Sequence, residues 1–197
     1  MEKNIENYVF VKQNFLDKEV CQDIIEKLNR FNIWQKHDWK IYNPDQEQGS
    51  VLPSGENEPE VIPAENSLLK DVNRYLMPKI IEVLQEYVDN FKYEWFHNPF
   101  HVVSNLKFLK YSLNQTMKAH CDHIHDIFDG NVKGIPILSV IGTLNDDYKG
   151  GNLVMFGDKK INTKTGDLII FPSLFLFPHE IKPVTKGTRY SYISWVC

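Results

Sequence analysis

Apolar residues recur at helical spacing in the N-terminal half of the chain. Asp17 can cap a helix, and the apolar positions that follow it predict one amphipathic helix. These positions are Val20, Cys21, Ile24, Ile25 and Leu28. A second, longer helix is predicted from near Asn66 to near Phe91, and Pro78 inside it would kink or split it. β-branched and aromatic residues at 8–12 predict a short strand before the first helix.

Between these helices, residues 43–66 are rich in Pro, Gly, Glu and Asn and poor in large apolar side chains. This composition predicts a long loop that forms no packed strand or helix. Trp34, Trp39 and Tyr42 lead into it, and aromatic groups beside a polar loop suit the capture of an extended peptide. Two interpretations are open: a lid that closes over a substrate together with residues 123–134, or a mobile insertion remote from any site.

From residue 101 onward the pattern changes to short runs rich in β-branched and aromatic residues. These runs lie at 101–112, 135–144, 152–156, 166–171, 179–184 and 189–196. Turn signals such as Gly150-Gly151 separate them, and no helical pattern intervenes, which predicts an antiparallel sandwich or barrel. The expected fold class is α+β, with two N-terminal helices buttressing a C-terminal β-sandwich. We expect a single domain over residues 1–197, in which 1–100 supply helical support and the loop, and 101–197 form the core.

Charge and cysteine content narrow the function classes. The 197-residue chain carries 22 Lys and Arg against 26 Asp and Glu, for a formal charge of -4. This balance gives no broad attraction to nucleic acid or to an anionic membrane surface, so neither is an expected partner. No apolar run reaches membrane-spanning length, and the N-terminus lacks the pattern of a secretory signal. The cysteines, Cys21, Cys121 and Cys197, form no CxxC pair, which favours a reducing cytoplasmic setting over a disulfide framework.

Histidines and aspartates crowd into the stretch HCDHIHD at residues 120–126. On a strand, alternate side chains share a face, so His120 and Asp122 can point together into the sandwich. Two ligands leave a coordination sphere incomplete, and the best distant candidate for a third is His179 in FPHEI. By itself the HxD pattern is weak, because a polar loop with satisfied histidines would have the same sequence.

Two imidazoles and one carboxylate on one side of a metal leave open coordination positions. Such a facial triad suits non-haem Fe(II), which must bind further ligands. A structural zinc site would need four filled positions, usually with thiolate, and Cys121, the nearby thiol, has the wrong strand parity. His123 also has the wrong parity, and His125 would need the strand to continue past several turn residues. We therefore expect both histidines to be loop residues.

Arg189 is a second candidate site residue, in the segment HEIKPVTKGTRYSYISW at 179–195. If the two strands of this segment form a hairpin, Arg189 lies opposite a residue about four positions past His179, ~13 Å along the strand. A long Arg side chain and a dicarboxylate can bridge most of that gap, and Ser191 shares the face of Arg189. An Arg inside a barrel needs an anionic partner, and a carboxylate held bidentately is the natural one. The alternative is an Arg on the solvent side of an edge strand.

With their flanking motifs, these residues resemble the Fe(II)- and 2-oxoglutarate-dependent oxygenases, in the branch similar to prolyl 4-hydroxylases. The resemblance covers most of residues 101–197. Its motifs are Tyr111 followed by His120-Cys121-Asp122, LNDDYKGGNLVMF at 144–156, GDLIIFP at 166–172 and HEIKPVTKGTRYSYISW at 179–195. FLDKEVCQDII at 15–25 also resembles the N-terminal helical segment of that branch.

The resemblance implies a double-stranded β-helix, or jelly roll, in agreement with the strand pattern. It implies Fe(II) ligands at His120, Asp122 and His179, and no catalytic residue beyond these metal ligands. It further implies that Arg189 pairs with the distal carboxylate of the cosubstrate 2-oxoglutarate, and that Tyr111 and Ser191 donate hydrogen bonds to the same group. O2 is the other implied reactant, and ascorbate is a candidate additional cofactor.

The implied activity is that of a dioxygenase: hydroxylation of an unactivated C–H bond with release of succinate and CO2. The expected substrate is a prolyl or other residue of a protein or peptide, and the alternative is a free amino acid or another small molecule. Asn152 and Met117 depart from residues that members often carry there, which affects the substrate assignment only. Asp122 argues against halogenases and Trp195 against nucleic-acid demethylases. A metal- or sugar-binding jelly roll without redox activity is a second alternative, and no sequence feature indicates an oligomeric state.

Overall fold

The computed structural model describes residues 4–31, 33–41, 50–52, 55–91, 102–122 and 136–197 of the chain. Its two α-helices are α1, Lys18–Arg30, and α2, Lys70–Asp89. Short 3-10 helices occupy Ile5–Tyr8 and Ser67–Leu69. Within the described ranges, no helix is both long and apolar enough to cross a membrane.

Fifteen strands make up the rest of the regular structure in the described ranges. They are β1 Phe10–Lys12, β2 Gln35–Lys36, β3 Trp39–Ile41, β4 Ser50–Leu52, β5 Glu60–Ile62, β6 Lys107–Tyr111, β7 Met117–His120, β8 Leu138–Thr143, β9 Lys149–Gly150, β10 Leu153–Met155, β11 Lys159–Ile161, β12 Leu168–Pro172, β13 His179–Ile181, β14 Val184–Lys186 and β15 Arg189–Val196. The larger sheet has the order β1-β12-β8-β15-β6-β5-β2, and the smaller sheet has the order β11-β10-β13-β7. Two further pairs, β14-β9 and β3-β4, complete the set, and every pairing is antiparallel.

Helix α1 has the predicted amphipathic character. Its buried residues are Cys21, Ile24, Ile25 and Leu28, four of the five positions that the helical spacing singled out. Asp17 is the N-cap residue, although its side chain makes no capping hydrogen bond. The helix therefore depends on packing of its apolar face more than on a cap, as is usual for short helices in proteins.

Helix α2 runs without interruption through Pro78, so the predicted alternative of a split helix is wrong. A proline removes one backbone donor and crowds the preceding turn. Here Leu76, Ile80 and Leu84 on either side of it are fully buried. Their packing offsets the missing backbone hydrogen bond and the crowding at Pro78, because tertiary contacts supply most of the stability of a helix in a folded protein.

The larger sheet separates two hydrophobic clusters. On its outer face, Phe108 and Tyr192 pack with residues of both helices. On its inner face, alternate residues such as Leu109 and Tyr111 pack against Met117 and other residues of the smaller sheet. Alternation of side chains along β6 and β15 thus directs one set toward the helices and the other into the sandwich. The predicted α+β sandwich with helical buttresses is confirmed.

The predicted hairpin between the strands after His179 and at Arg189 is wrong. β13 pairs with β7 and β10 in the smaller sheet, whereas β15 pairs with β6 and β8 in the larger one. β14, the strand just before the turn at Gly187 (φ of 78°), pairs with β9, so this turn joins strands of two different sheets. In a jelly roll, strands that are close in sequence often belong to different sheets, so sequence proximity did not identify the partner strand of Arg189.

Residues 60–62 correct the prediction that the segment 43–66 forms no packed strand. β5 pairs with β6 and β2 in the larger sheet, and Val61 and Ile62 are buried on its two faces. The short run Glu-Val-Ile has the β-branched character that suits this position. Residues 43–49, 53–54 and all of 123–134 lie outside the described ranges, so the lid stays a hypothesis.

Candidate metal centre

His120 and His179 face each other across neighbouring strands of the smaller sheet. They are register partners in the β7–β13 pair, and their ring centroids lie 4.4 Å apart. Asp122 follows the end of β7, and its Oδ1 lies 3.5 Å from His120 Nε2 and 3.8 Å from His179 Nε2. One ligand atom from each of the three residues fits within a mutual distance of 4.8 Å. The structure thus brings together the three predicted ligands, with Nε2, Oδ1 and Nε2 converging.

Backbone carbonyls fix both imidazole rings. His120 Nδ1 lies 2.7 Å from the carbonyl oxygen of Lys118, and His179 Nδ1 lies 3.2 Å from that of Phe177. Because a carbonyl oxygen only accepts, each Nδ1 carries the proton, and in the neutral ring Nε2 keeps its lone pair. A hydrogen bond from the distal ring nitrogen is the usual way in which metal-binding histidines are oriented.

The second carboxylate oxygen of Asp122 is also held. Ser139 donates to Oδ2 at 2.6 Å, and Ser139 Oγ lies 2.7 Å from Ser173 Oγ. Neither serine was among the predicted site residues. Their signal is slight: a small polar residue at an inward-facing position of β8, and another just after β12.

Electrostatics keep Asp122 ionised. Burial acts to raise its pKa, but the hydrogen bond with His120, the charges of both histidines and the Ser139 hydroxyl outweigh it, so the net shift is downward. Burial lowers the pKa of His179. The pKa of His120 is raised, because contacts with Asp122 and the Lys118 carbonyl overcome the opposing effect of burial. The cluster therefore presents a carboxylate anion and a largely neutral His179, both suitable for binding a cation.

The donor set fits Fe(II) better than a structural zinc ion. Two imidazole nitrogens and one carboxylate oxygen lie on one side, which leaves positions for further ligands. Structural zinc is usually closed by four ligands, often thiolates. Cys121 does not supply a thiolate ligand, since its Sγ contacts the carbonyl oxygen of Phe175 at 3.4 Å.

Arg189 lies inside the sandwich, only 2% exposed. Its Nη1 donates to Ser191 Oγ at 2.7 Å, and its guanidinium carbon lies 5.0 Å from the centre of the Tyr111 ring. Its Nε is buried without a hydrogen-bond partner, and no acidic side chain of the described residues forms an ion pair with it. A buried guanidinium with unused donors suits a carboxylate ligand, which it can bind bidentately.

Neighbouring segments hold Arg189 in this position. Asn145 donates to the Thr188 carbonyl and accepts from the Tyr190 N–H, both at 2.7 Å, so it ties the backbone on both sides of Arg189. A Cβ at Gly151 would lie 3.2 Å from Arg189 Cδ, so the glycine leaves room for the long side chain. Asn145 and Gly151 both belong to the LNDDYKGGNLVMF motif, and Asn145 was not predicted as a site residue.

Tyr111 connects the two parts of the site. It is the register partner of Arg189 across β6 and β15. Burial raises the pKa of Tyr111 to about 12, while the charge of Arg189 opposes this and those of Glu58 and Asp122 add to it. The phenol therefore stays protonated and able to donate. Because the charges of both Arg189 and Asp122 act on its pKa, Tyr111 lies within electrostatic reach of the Arg189 guanidinium and of the three predicted ligands.

A second buried acid–base pair lies beside the site. Glu58 is 3% exposed, and its Oε2 is 3.9 Å from His37 Nδ1. Burial, with the charges of Lys107 and His120, lowers the pKa of His37 to about 3. This pair was not among the predicted site residues, because Glu58 belongs to the segment predicted as a loop. His123 and His125 lie outside the described residues.

Sequence comparison identifies relatives over part of the chain. Residues 106–197 match the family model of the 2OG-Fe(II) oxygenase superfamily. A PKHD-type hydroxylase of Alteromonas mediterranea is 33% identical over 99 residues, which cover 45% of this chain and 41% of the relative. One of Aliarcobacter butzleri is 33% identical over 105 residues, covering 50% and 45%. The chain thus spans less than half the length of these curated relatives.

Solved structures show the same fold over nearly the whole chain. A Pseudomonas putida prolyl-4-hydroxylase aligns with a TM-score of 0.61 and 15% identity over 96% of this chain and 91% of the other. The viral collagen prolyl hydroxylase of Paramecium Bursaria Chlorella virus-1, in complex with 2-oxoglutarate, gives 0.59 and 16% over 96% and 94%. A Trichoplax adhaerens prolyl hydroxylase bound to a peptide fragment gives 0.60 and 17% over 96% and 83%. The predicted jelly-roll fold and the predicted resemblance to the prolyl 4-hydroxylase-like oxygenases are confirmed.

Proposed function

We propose that this chain, whose residues 106–197 belong to the 2OG-Fe(II) oxygenase superfamily, is a dioxygenase that hydroxylates an unactivated C–H bond. It would use Fe(II), 2-oxoglutarate and O2, and release succinate and CO2. The observation that carries the proposal is the convergence of Nε2, Oδ1 and Nε2 of His120, Asp122 and His179 inside a jelly roll.

The three converging atoms would hold Fe(II). Lys118 and Phe177 fix the imidazoles through their carbonyl groups, and the ionised Asp122 supplies the negative charge. When bound, iron and 2-oxoglutarate supply the oxidising chemistry that transfers one atom of O2 to the substrate carbon. The protein side chains bind and orient these groups, and none needs to act as a general acid or base.

Arg189 would bind the distal carboxylate of 2-oxoglutarate, with Tyr111 and Ser191 as further donors. Support comes from the buried, unpaired Nε of Arg189 and from the protonated Tyr111 hydroxyl beside it. Ser191 already accepts from Arg189 Nη1, so its own hydroxyl proton is available to a carboxylate. A simple metal- or sugar-binding module would have no use for such a buried clamp, and this argues against that alternative.

We further propose that the target is a prolyl or other residue of a protein or peptide. Support comes from the names of the similar proteins, which include hydroxylases and prolyl hydroxylases, one of them solved with a peptide fragment. A free amino acid or other small molecule remains the alternative, and ascorbate a candidate additional cofactor. The cytoplasm is the proposed location, supported by three free cysteines.

A succinate-release assay tests the reaction class. Purified protein is incubated with Fe(II), 2-oxoglutarate and O2, alone and with a panel of proline-containing peptides and free amino acids. We expect succinate that depends on all three reactants, and mass spectrometry should find one added oxygen atom in the substrate. Anaerobic incubation and Asp122→Ala are the controls. Intact iron binding without 2-oxoglutarate binding or consumption would favour the binding module instead.

A further inference from the structure

The Asp122 carboxylate is held from the opposite layer of the sandwich. Asp122 follows β7 in the smaller sheet, whereas Ser139 lies on β8 in the larger sheet and Ser173 just beyond β12. Both serines are only 1% exposed. This contact therefore joins the two layers at the proposed metal ligand, with both serines shielded from solvent.

The chemistry of the groups sets the direction of the hydrogen bonds. An ionised carboxylate only accepts, so the Ser139 hydroxyl donates its single proton to Asp122 Oδ2 at 2.6 Å. The oxygen of Ser139 must then accept from Ser173, 2.7 Å away. The result is a directed chain from Ser173 through Ser139 to Asp122, in which each hydroxyl polarises the next.

We propose that Ser139, supported by Ser173, is a positioning residue that makes Asp122 a one-oxygen metal ligand. With Oδ2 engaged by Ser139, Oδ1 alone is turned toward the Nε2 atoms of both histidines. A carboxylate that rotated to bind through both oxygens would occupy one more coordination position. Ser139 would thus keep that position open for the reactants. This inference rests on the metal assignment of the proposed function.

The second serine also links two of the ligands. Ser173 begins the connection from β12 to β13, and Phe177 in the same connection accepts from Nδ1 of His179. The backbone N–H of Ser173 donates to the Ile137 carbonyl at 3.0 Å. The same short segment therefore orients His179 directly and Asp122 through Ser139.

Metal titration of the apoprotein tests the role without requiring turnover. Co(II) serves as a redox-stable probe for wild type, Ser139→Ala, Ser173→Ala and the double variant. Loss of a partner that orients a ligand typically weakens metal binding roughly 10- to 100-fold, and we expect this for Ser139→Ala, with an altered ligand-field absorption spectrum. Ser173→Ala should show a smaller loss. The double variant should match Ser139→Ala alone, because Ser173 acts through Ser139.

Ser194→Ala provides a matched control. Ser194 is a fully buried serine on β15 that donates to the Ser104 carbonyl at 2.7 Å and does not touch the ligands. The Ser194→Ala variant should lose thermal stability but keep the Co(II) affinity and the absorption spectrum of the wild type. If Ser139→Ala keeps them too, or changes them no more than Ser194→Ala does, the positioning role is refuted. Wild-type protein that binds Co(II) yet releases no succinate with Fe(II) would instead refute the proposed reaction and leave the serine data to stand.

Discussion

Replacement of Arg189 by methionine tests the proposed cosubstrate clamp. The long apolar side chain fills much of the same buried space while removing the charge and the donors. Arg189 is 2% exposed and meets Ser191 and Tyr111 in the free protein. If it also binds 2-oxoglutarate, the variant loses a charge-assisted hydrogen-bond pair worth about 1.5–3 kcal/mol. The affinity for 2-oxoglutarate should then fall roughly 10- to 150-fold.

Without ligand, Arg189→Met should lose less free energy of unfolding than the binding free energy that it loses for 2-oxoglutarate. It loses a cation–π contact with Tyr111, worth about 0.5–2 kcal/mol, and the hydrogen bond to Ser191. It also removes a buried guanidinium that lacks an acidic partner among the described residues. Burying such an unpaired charge destabilises the folded state, so its removal is stabilising. These effects oppose each other. The variant should therefore lose less free energy of unfolding than it loses free energy of 2-oxoglutarate binding, and its midpoint of thermal unfolding should change little.

Calorimetric titration of 2-oxoglutarate into anaerobic, Co(II)-loaded protein measures the effect. Arg189→Lys is the matched control: it keeps a positive charge but lacks the planar fork, so its affinity should lie between wild type and Arg189→Met. Co(II) affinity without 2-oxoglutarate should be equal in all three proteins. Unchanged 2-oxoglutarate affinity in Arg189→Met, or an equal loss of Co(II) and 2-oxoglutarate affinity, would show that Arg189 is not the clamp.

Three further substitutions test the remaining parts of the site. Asp122→Ala removes the anionic ligand and should abolish succinate release and lower the iron content measured after anaerobic loading; full activity would disprove the triad. Tyr111→Phe should weaken 2-oxoglutarate binding roughly 2- to 13-fold, the equivalent of a neutral hydrogen bond of about 0.5–1.5 kcal/mol, and an unchanged calorimetric affinity would exclude that bond. Burial lowers the pKa of His37 from 6.5 to about 3, so the unfolded state binds more protons between these values and stability falls as pH drops through this window. His37→Gln should flatten that part of the curve of unfolding free energy against pH. An unchanged curve would show that the lowered pKa of His37 does not cause this loss of stability.

Local patterns predicted most of the elements correctly. The burial of α1 follows its helical spacing, and the strands around Tyr111, His179 and Arg189 lie where β-branched and aromatic runs predicted them. These patterns depend on neighbours within a few residues, so the sequence carries them directly. The turn-rich composition around β5 wrongly predicted a loop, because a packed strand of this length needs only a brief β-branched run.

The clustering of His120, Asp122 and His179 could be predicted because strand parity and chemistry agree. His120 and Asp122 are close in sequence, and His179 was the best distant partner of suitable chemistry. Ser139, Ser173 and Asn145 could not be found in this way. Each is a common polar residue whose role arises only from what it meets in space.

The sequence by itself determined the α+β class, the short-strand architecture and the residue types that can bind Fe(II) and a dicarboxylate. Only the tertiary structure decided that Arg189 pairs with Tyr111 across β15 and β6, and not with the strand that follows His179. It alone brought Ser139 to Asp122, 17 positions away, and Ser173 to Ser139, 34 positions away. The physical reason is that strand partners and register are set by which faces bury together over the whole sandwich, and local sequence spacing does not encode that choice.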